Sequence, residues 1–420
     1  MITTILRPTL SFLVLVTVFL SLSCEDSGDP AATPDGADKT LSIGGLLSLT
    51  GGNWNTLGIA SKAGMEIARD EINSYFASMK SGISVTLILA DTRLDTGFAV
   101  TEAGDLIASG VKAIVGPQSS AELRAVRNAV ALDKVLIVSQ GSTASSLSLA
   151  GDNVFRFCPD DRLEGAATAT LMIADSVHAI VPMCRADAGN VGLVQSTTAA
   201  LLQRGGTFSA GVEYGTETLD YSTIVQAAKA QAVQLVNAYG ASRTGIYLAA
   251  FDEAASILNL AANDPVLSTL KWYGGDGTVL SATLVGDAAA ASFASSVTFA
   301  CPTYGLEDAA SSRWQPVVLE IKSRTGVDPD AFALAAYDAV WVLALAFQGT
   351  GGSDDVSLLR NAFLTTSDQY YGATGWTVLN EAGDRKNGNY DFWCIRSTGT
   401  EYAWAKTASY NSLSETIIRY

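Results

Sequence analysis

VKAIVGPQSSAELRAVRNAVALDKVLIVSQGSTAS, residues 111–145, is the stretch whose reading decides the fold. Residues 111–115 form a short β-branched, apolar run that stops at Gly116-Pro117. Residues 121–131 carry helical periodicity, and residues 135–138 are a second apolar run of the first kind. Strand, helix and strand in this succession make a βαβ unit, whose helical crossover returns the second strand parallel to the first. Each strand ends in small hydroxyl residues: Ser119 and Ser120 after the first, Ser142 and Thr143 after the second. Ser119 or Ser120 suits the N-cap of the helix. The free N–H groups and dipole at that helix start favour a carboxylate. Either loop alone is equally well read as ordinary capping. Two such loops on neighbouring strands would converge their donors on one anionic group.

The same alternation continues in both directions. Residues 41–47 and 85–90 read as strands. Met65, Ala68, Ile72 and Phe76 step by three, four and four along one helix face, and residues 99–109 are helical. After an extended stretch at 154–159 a second set begins. Helices are expected at 163–176, 191–203, 222–236 and 253–262. Strands are expected at 179–183, near Val212, and at 245–250, 270–274 and 297–301. Helices at 313–324, 331–347 and 356–364 follow, then β signals at 375–379 and 390–395 about a turn at Gly383-Asp384. The fold class expected is α/β, with two doubly wound parallel sheets. Ligands collect at domain interfaces and at the carboxyl ends of parallel strands, so a cleft between the two units is the place to look.

Composition narrows the function. With 420 residues, 48% hydrophobic and 16% charged, the chain buries large cores and exceeds one domain. A net charge of −16 repels nucleic-acid phosphates, so no nucleic-acid partner is expected. His178 is the one histidine, GxSxG is absent, and the acidic pairs Asp160-Asp161 and Asp354-Asp355 read as helix starts. No enzyme, metal or cofactor is expected. Five cysteines occur, Cys24, Cys158, Cys184, Cys301 and Cys394, with no CxxC spacing. Disulfides and buried free thiols both remain open for the last four.

Arg7, the apolar run 9–22 and Ser23-Cys24 have the form of a signal peptide over residues 1–23. One reading makes Cys24 the lipid-bearing residue of a bacterial lipoprotein, followed by a flexible tether over 24–40. Small residues precede Cys24, although leucine stands at Leu20 and Leu22 rather than three positions before it. The other reading is an ordinary secretory signal.

Two more segments carry candidate contacts. SLTGGNWN, residues 48–55, places glycines, amides and Trp54 after the first strand. WYGGDG, residues 272–277, places Asp276 just past a strand between glycines, where it could meet an ammonium group. The run is not a GxGxxG phosphate loop. Plain turns would serve for both segments.

Taken together, IGGLLSLTGG (43–52), GMEIARDEIN (64–73), VKAIVGPQSS (111–120), VLIVSQGSTAS (135–145), GIYLAAFDEAASIL (245–258), WYGGDG (272–277), AAYDAVWVLALA (335–346) and GATGWTVLNEAGDRKNGNYDFW (372–393) resemble the type 1 periplasmic binding proteins, in the leucine/isoleucine/valine-binding branch. The resemblance runs over residues 41–395. It implies two lobes joined by a three-strand hinge, with lobe 1 at 41–156 and 302–374 and lobe 2 at 157–301 and 375–420. It implies a ligand carboxylate on Ser119, Ser120, Gly141, Ser142 and Thr143, a ligand amine on Asp276, and further contacts from Trp54 and Phe251. Ala188 stands where many relatives carry an aromatic residue, which leaves a roomier wall with Arg185 and Asp187 beside it. The implied function is an exported, lipid-anchored, monomeric protein at the cell envelope. It would pass a small solute, an amino acid, to an ABC permease. The alternative is a ligand sensor of the same fold acting with a signalling partner.

Overall fold

The computed structural model describes residues 39–51 and 55–420. The signal segment, Cys24, the tether up to residue 38 and Trp54 lie outside the described residues.

The first part of the chain runs β1 (Lys39–Leu47), α1 (Asn55–Ser78), β2 (Ile83–Asp91), α2 (Thr96–Ala108), β3 (Ala113–Val115), α3 (Ser120–Ala129), β4 (Leu136–Ser139) and β5 (Val154–Arg156). The five strands form one parallel sheet in the order β2-β1-β3-β4-β5. Alternation along the strands decides which face each residue covers. Ala113, Val115, Leu136 and Val138 enter one core with Met65 and Ile72 of α1. Ile114 and Ile137, between them, enter the opposite core with Leu106 and Leu123. Helices therefore cover both faces, and the central strand β3 is apolar at every position.

The second part runs α4 (Asp161–Ala174), β6 (Ala179–Arg185), α5 (Ala188–Gln203), β7 (Thr207–Phe208), β8 (Val212–Tyr214), α6 (Ser222–Tyr239), β9 (Thr244–Ala249), α7 (Ala254–Ala261), β10 (Lys271–Gly274), α8 (Ala282–Gly286), α9 (Ala288–Ser296) and β11 (Ala300–Gly305). The chain then returns to the first core through α10 (Ser311–Thr325), α11 (Ala331–Gly349) and α12 (Val356–Gln369). A small hairpin, β12 (Tyr371–Gly372) and β13 (Gly375–Trp376), precedes β14 (Asn389–Ser397), β15 (Tyr402–Asn411) and β16 (Thr416–Arg419). The second sheet has the order β16-β15-β14-β11-β10-β9-β6-β7, with β8 also paired to β6. Its β6 to β11 half is parallel, and β14, β15 and β16 extend it antiparallel. Among the described residues α11 is long and apolar enough to cross a membrane; here it is a core helix packed on α1.

Three departures from expectation have local causes. The strand expected at 297–301 begins only at Ala300, because Val297 still caps α9 through Phe293 and Thr298 turns with φ 53°. The β segment expected at 375–379 shrinks to two residues. From Thr377 the chain turns away, and the Thr377 hydroxyl donates to the Ser367 carbonyl at 2.9 Å. Neither β15 nor β16 was anticipated. β15 mixes polar and aromatic residues, and β16 is a four-residue strand at the sheet's edge, short and ended by Arg419.

The lobes are joined where the chain passes between the sheets, and the joints are tied by buried ions. Arg156, 1% exposed at the end of β5, donates from Nε to Asp384 at 2.5 Å. Their backbones also pair, Arg156 N–H to the Gly383 carbonyl at 2.9 Å and Arg385 N–H to the Arg156 carbonyl at 3.0 Å. Beside them Arg385 donates to the Thr374 hydroxyl and carbonyl, both at 2.6 Å. Asp338 of α11 accepts from the N–H groups of Ala373 and Thr374, each at 2.8 Å. Cys158, Cys184, Cys301 and Cys394 are all buried free thiols, which resolves the open alternative against disulfides.

Candidate functional site

The carboxyl ends of β3 and β4 carry the two hydroxyl loops, and the structure ties them together. Gly116 turns the first loop with φ 109°, and a Cβ there would sit 2.0 Å from the Leu46 carbonyl oxygen, so only glycine fits. Ser139 Oγ donates to the Pro117 carbonyl at 2.7 Å. Ser142 Oγ donates to Ser120 Oγ at 3.1 Å, and the Ala144 N–H donates to the same oxygen at 3.1 Å. Arg156 braces the second loop from behind, donating to the carbonyls of Ser142 (3.2 Å) and Ala144 (2.7 Å).

Ser119 is the N-cap of α3, within a capping box: its Oγ accepts from the Glu122 N–H at 3.2 Å and donates to the Glu122 carboxylate at 2.7 Å. Helix geometry leaves the N–H groups of Ser120 and Ala121 without intrahelical acceptors. Both residues face a cavity of about 210 Å3 between the lobes.

Ser119, Ser120, Gly141 and Thr143 line this cavity from the first lobe, and Asp187, Phe251 and Asp276 line it from the second. Ser142 does not line it; fully buried, it holds one loop to the other. Ala188 opens α5 and is absent from the lining. The wall there is Arg185, whose guanidinium lies 5.1 Å from the Phe251 ring centroid. Asp187 caps α5, accepting from the N–H groups of Gly189 and Asn190 at 3.0 Å and from Asn190 Nδ2 at 2.8 Å. Its Oδ2 also stands 3.5 Å from Arg185 Nε, so most of its capacity is already committed.

Behind the second-lobe lining stands an acidic cluster that sequence reasoning missed. The Asp276 N–H donates to Glu164 Oε1 at 3.1 Å, and Glu164 is fully buried with Oε2 unpartnered. Asp161, also fully buried, accepts from the Ser145 N–H at 3.3 Å. Asp161 and Glu164 stand three apart in the first turn of α4 and so share a face. That spacing was the available signal, since a helix start excuses acids only while water reaches them. Burial pushes the Asp161 carboxyl up to about 8, reinforced by the Asp276 charge. Burial and the charges of Asp276 and Asp161 hold Glu164 well above the usual carboxylate range. Asp276 itself is raised to about 6, by burial first and against the hydrogen bond from Gly277, with Asp187 and Asp330 adding repulsion. A positive charge placed here would relieve all three.

The site therefore offers helix-start donors and hydroxyls on one wall, and on the other Asp276 with proton-hungry carboxyls behind it. The family model described as receptor family ligand binding region matches residues 60–397. The chain belongs to that family. Among members and relatives of this receptor-type ligand-binding family, the uncharacterized protein MJ1266 of Methanocaldococcus jannaschii is 28% identical over 401 residues, covering 91% of this chain and 93% of that one. The Leu/Ile/Val-binding protein BraC3 of Rhizobium johnstonii is 27% identical over 355 residues, covering 83% and 89%. Among solved structures, the leucine binding protein LivK of Thermotoga maritima superposes with a TM-score of 0.72 at 22% identity, covering 88% of this chain and 99% of that one. The fold is that of a type 1 periplasmic binding protein. Its relatives of known role are solute-binding proteins rather than enzymes.

Proposed function

We propose that this chain is an extracytoplasmic lipoprotein that clamps an α-amino acid between its lobes and delivers it to an ABC permease. The carrying observation is the pairing of opposite chemistries across one cavity. The α3 start and the braced hydroxyl loops suit the ligand carboxylate, and Asp276, backed by Glu164, suits its ammonium. The relatives named for leucine, isoleucine and valine binding support the solute class. In the mechanism the carboxylate docks on the first lobe. Closure then brings Asp276 to the ammonium, excludes water and strengthens both contacts. The closed form is the one a permease reads.

The test is calorimetric titration of the purified full chain with the common α-amino acids and with matched amines and carboxylates lacking one head group. Binding that requires both groups is expected. Asp276→Asn, which keeps the shape and removes the charge, should weaken it by about 2 kcal/mol, roughly thirtyfold. Equal binding of a plain carboxylate, or an unaffected variant, would remove Asp276 from the ammonium site.

A further inference from the structure

The amino-acid cavity opens into a second chamber of about 550 Å3, with Gly141, Phe251 and Asp276 common to both. Its walls come from the start of α1, the loop after β10, and the start of α11. Leu57, Val279, Leu280 and Phe332 make it apolar along much of its length. The charged residues of its lining are all acidic, Asp252, Asp276, Asp328 and Asp330, without a lysine, arginine or histidine among them. Asp328 is ion-paired with Lys322 at 2.6 Å. Asp252 accepts from Ser281 Oγ at 2.6 Å, and Asp330 accepts from the Ala333 N–H at 3.0 Å as the cap of α11. Among the described residues neither of these two, nor Asp276, has a basic partner.

A second observation points to a guest. Gln118 lines the chamber, is only 3% exposed, and has neither its side-chain oxygen nor its nitrogen hydrogen-bonded. A buried amide left wholly unmet is costly unless something meets it. An apolar passage with an unmet amide at one wall and unpaired carboxylates beyond is the complement of a hydrocarbon stem ending in a cation.

We infer that this chamber receives the side chain of the bound amino acid, and that this side chain is basic, its ammonium or guanidinium group facing Asp330 and Asp252 while Gln118 hydrogen-bonds to the ligand. The inference rests on the α-amino-acid reading and names the ligand class within it. Asp330 repels Asp276, and a ligand that sets its α-ammonium at Asp276 and a second cation at Asp330 relieves that repulsion at both ends. The net charge of −16 draws such a ligand toward the protein as well.

The experiment is calorimetric titration of the full chain at neutral pH with L-arginine, L-lysine, L-glutamine and L-leucine. Arginine or lysine should bind at least tenfold more tightly than leucine and glutamine. Asp330→Asn keeps a capping oxygen on α11 and removes the charge. It should weaken the basic ligand at least tenfold while shifting leucine less than twofold. If that variant does not fold, Asp252→Asn reads the same charge from the opposite wall, with a like selective loss expected. Tighter binding of leucine than of either basic amino acid would overturn the inference and leave the amino-acid reading standing. Basic ligands indifferent to both neutralisations would overturn the assignment to this chamber. Binding of no amino acid at all would overturn both.

Discussion

On the first lobe the cleft is lined by two loops whose hydroxyls bond to one another; on the second, Asp276 stands before buried carboxyls that repel one another. Ser120, Ser139 and Ser142 bond loop to loop, with Arg156 holding the backbone behind them. Those bonds are complete without a ligand. Asp161, Glu164 and Asp276 sit together in low dielectric, their protonation and charge waiting on what occupies the cleft. The difference assigns preorganisation to the first lobe and conditional affinity to the second. It also says where substitutions should damage the fold and where they should damage binding.

The largest effect is expected from Arg156→Leu. It strips a buried cation from Asp384 and two donors from the hydroxyl loop, and should cost about 3–5 kcal/mol in denaturant unfolding. A loss under 1 kcal/mol would show that the first wall does not depend on its brace. Next is Glu164→Gln. The acids of the second wall are protonated in the fold at pH values where the unfolded chain has released its protons. Their contribution is therefore full below about pH 4 and fades as pH rises through about 6 for Asp276 and about 8 for Asp161. The apo-protein should melt at progressively lower temperature between pH 5 and pH 9, and the glutamine variant should flatten that slope and gain stability at pH 8. A variant slope as steep as the parent's would place the strain elsewhere. The smallest effect belongs to Asp187→Asn, which retains the cap of α5. Stability should move by less than about 0.5 kcal/mol, and ligand affinity by less than threefold. A tenfold affinity loss would make Asp187 a ligand contact after all and extend the acidic cluster.

These walls differed in how far the sequence disclosed them. The first lobe's loops were visible because β3 and β4 are short apolar runs, each followed by glycine and hydroxyl residues, and the recurrence on neighbouring strands outweighs capping at either one. The parallel sheets followed from the same alternation. The acidic cluster was obscured because an acid in the first turn of a helix is ordinary, and nothing local to Asp161 or Glu164 reveals that α5 and the loop after β10 close over them. Arg156 was equally silent, since its partner Asp384 lies 228 residues away. Asp276 stood out by its glycine neighbours, and there the local signal matched the tertiary position. A Cβ on Gly277 would lie 2.6 Å from the Ala250 carbonyl oxygen. Asp187 and Ser119 each cap a helix and also line the cavity, so capping chemistry and candidate ligand chemistry fall on the same side chains.

The placement of α11 also bears on how the molecule is made. The face of the first sheet that carries Leu41, Ile43, Val115 and Val138 is closed by residues such as Leu334, Val340 and Leu343. A chain emerging from the ribosome completes all five strands of that sheet at Arg156, and Ala331 follows 175 residues later. At about 5–20 residues per second, the part of that face that α1 leaves to α11 stays uncovered for roughly ten seconds or more. For that interval the nascent protein carries an apolar, aggregation-prone surface, and the helix that will hide it has yet to be synthesised.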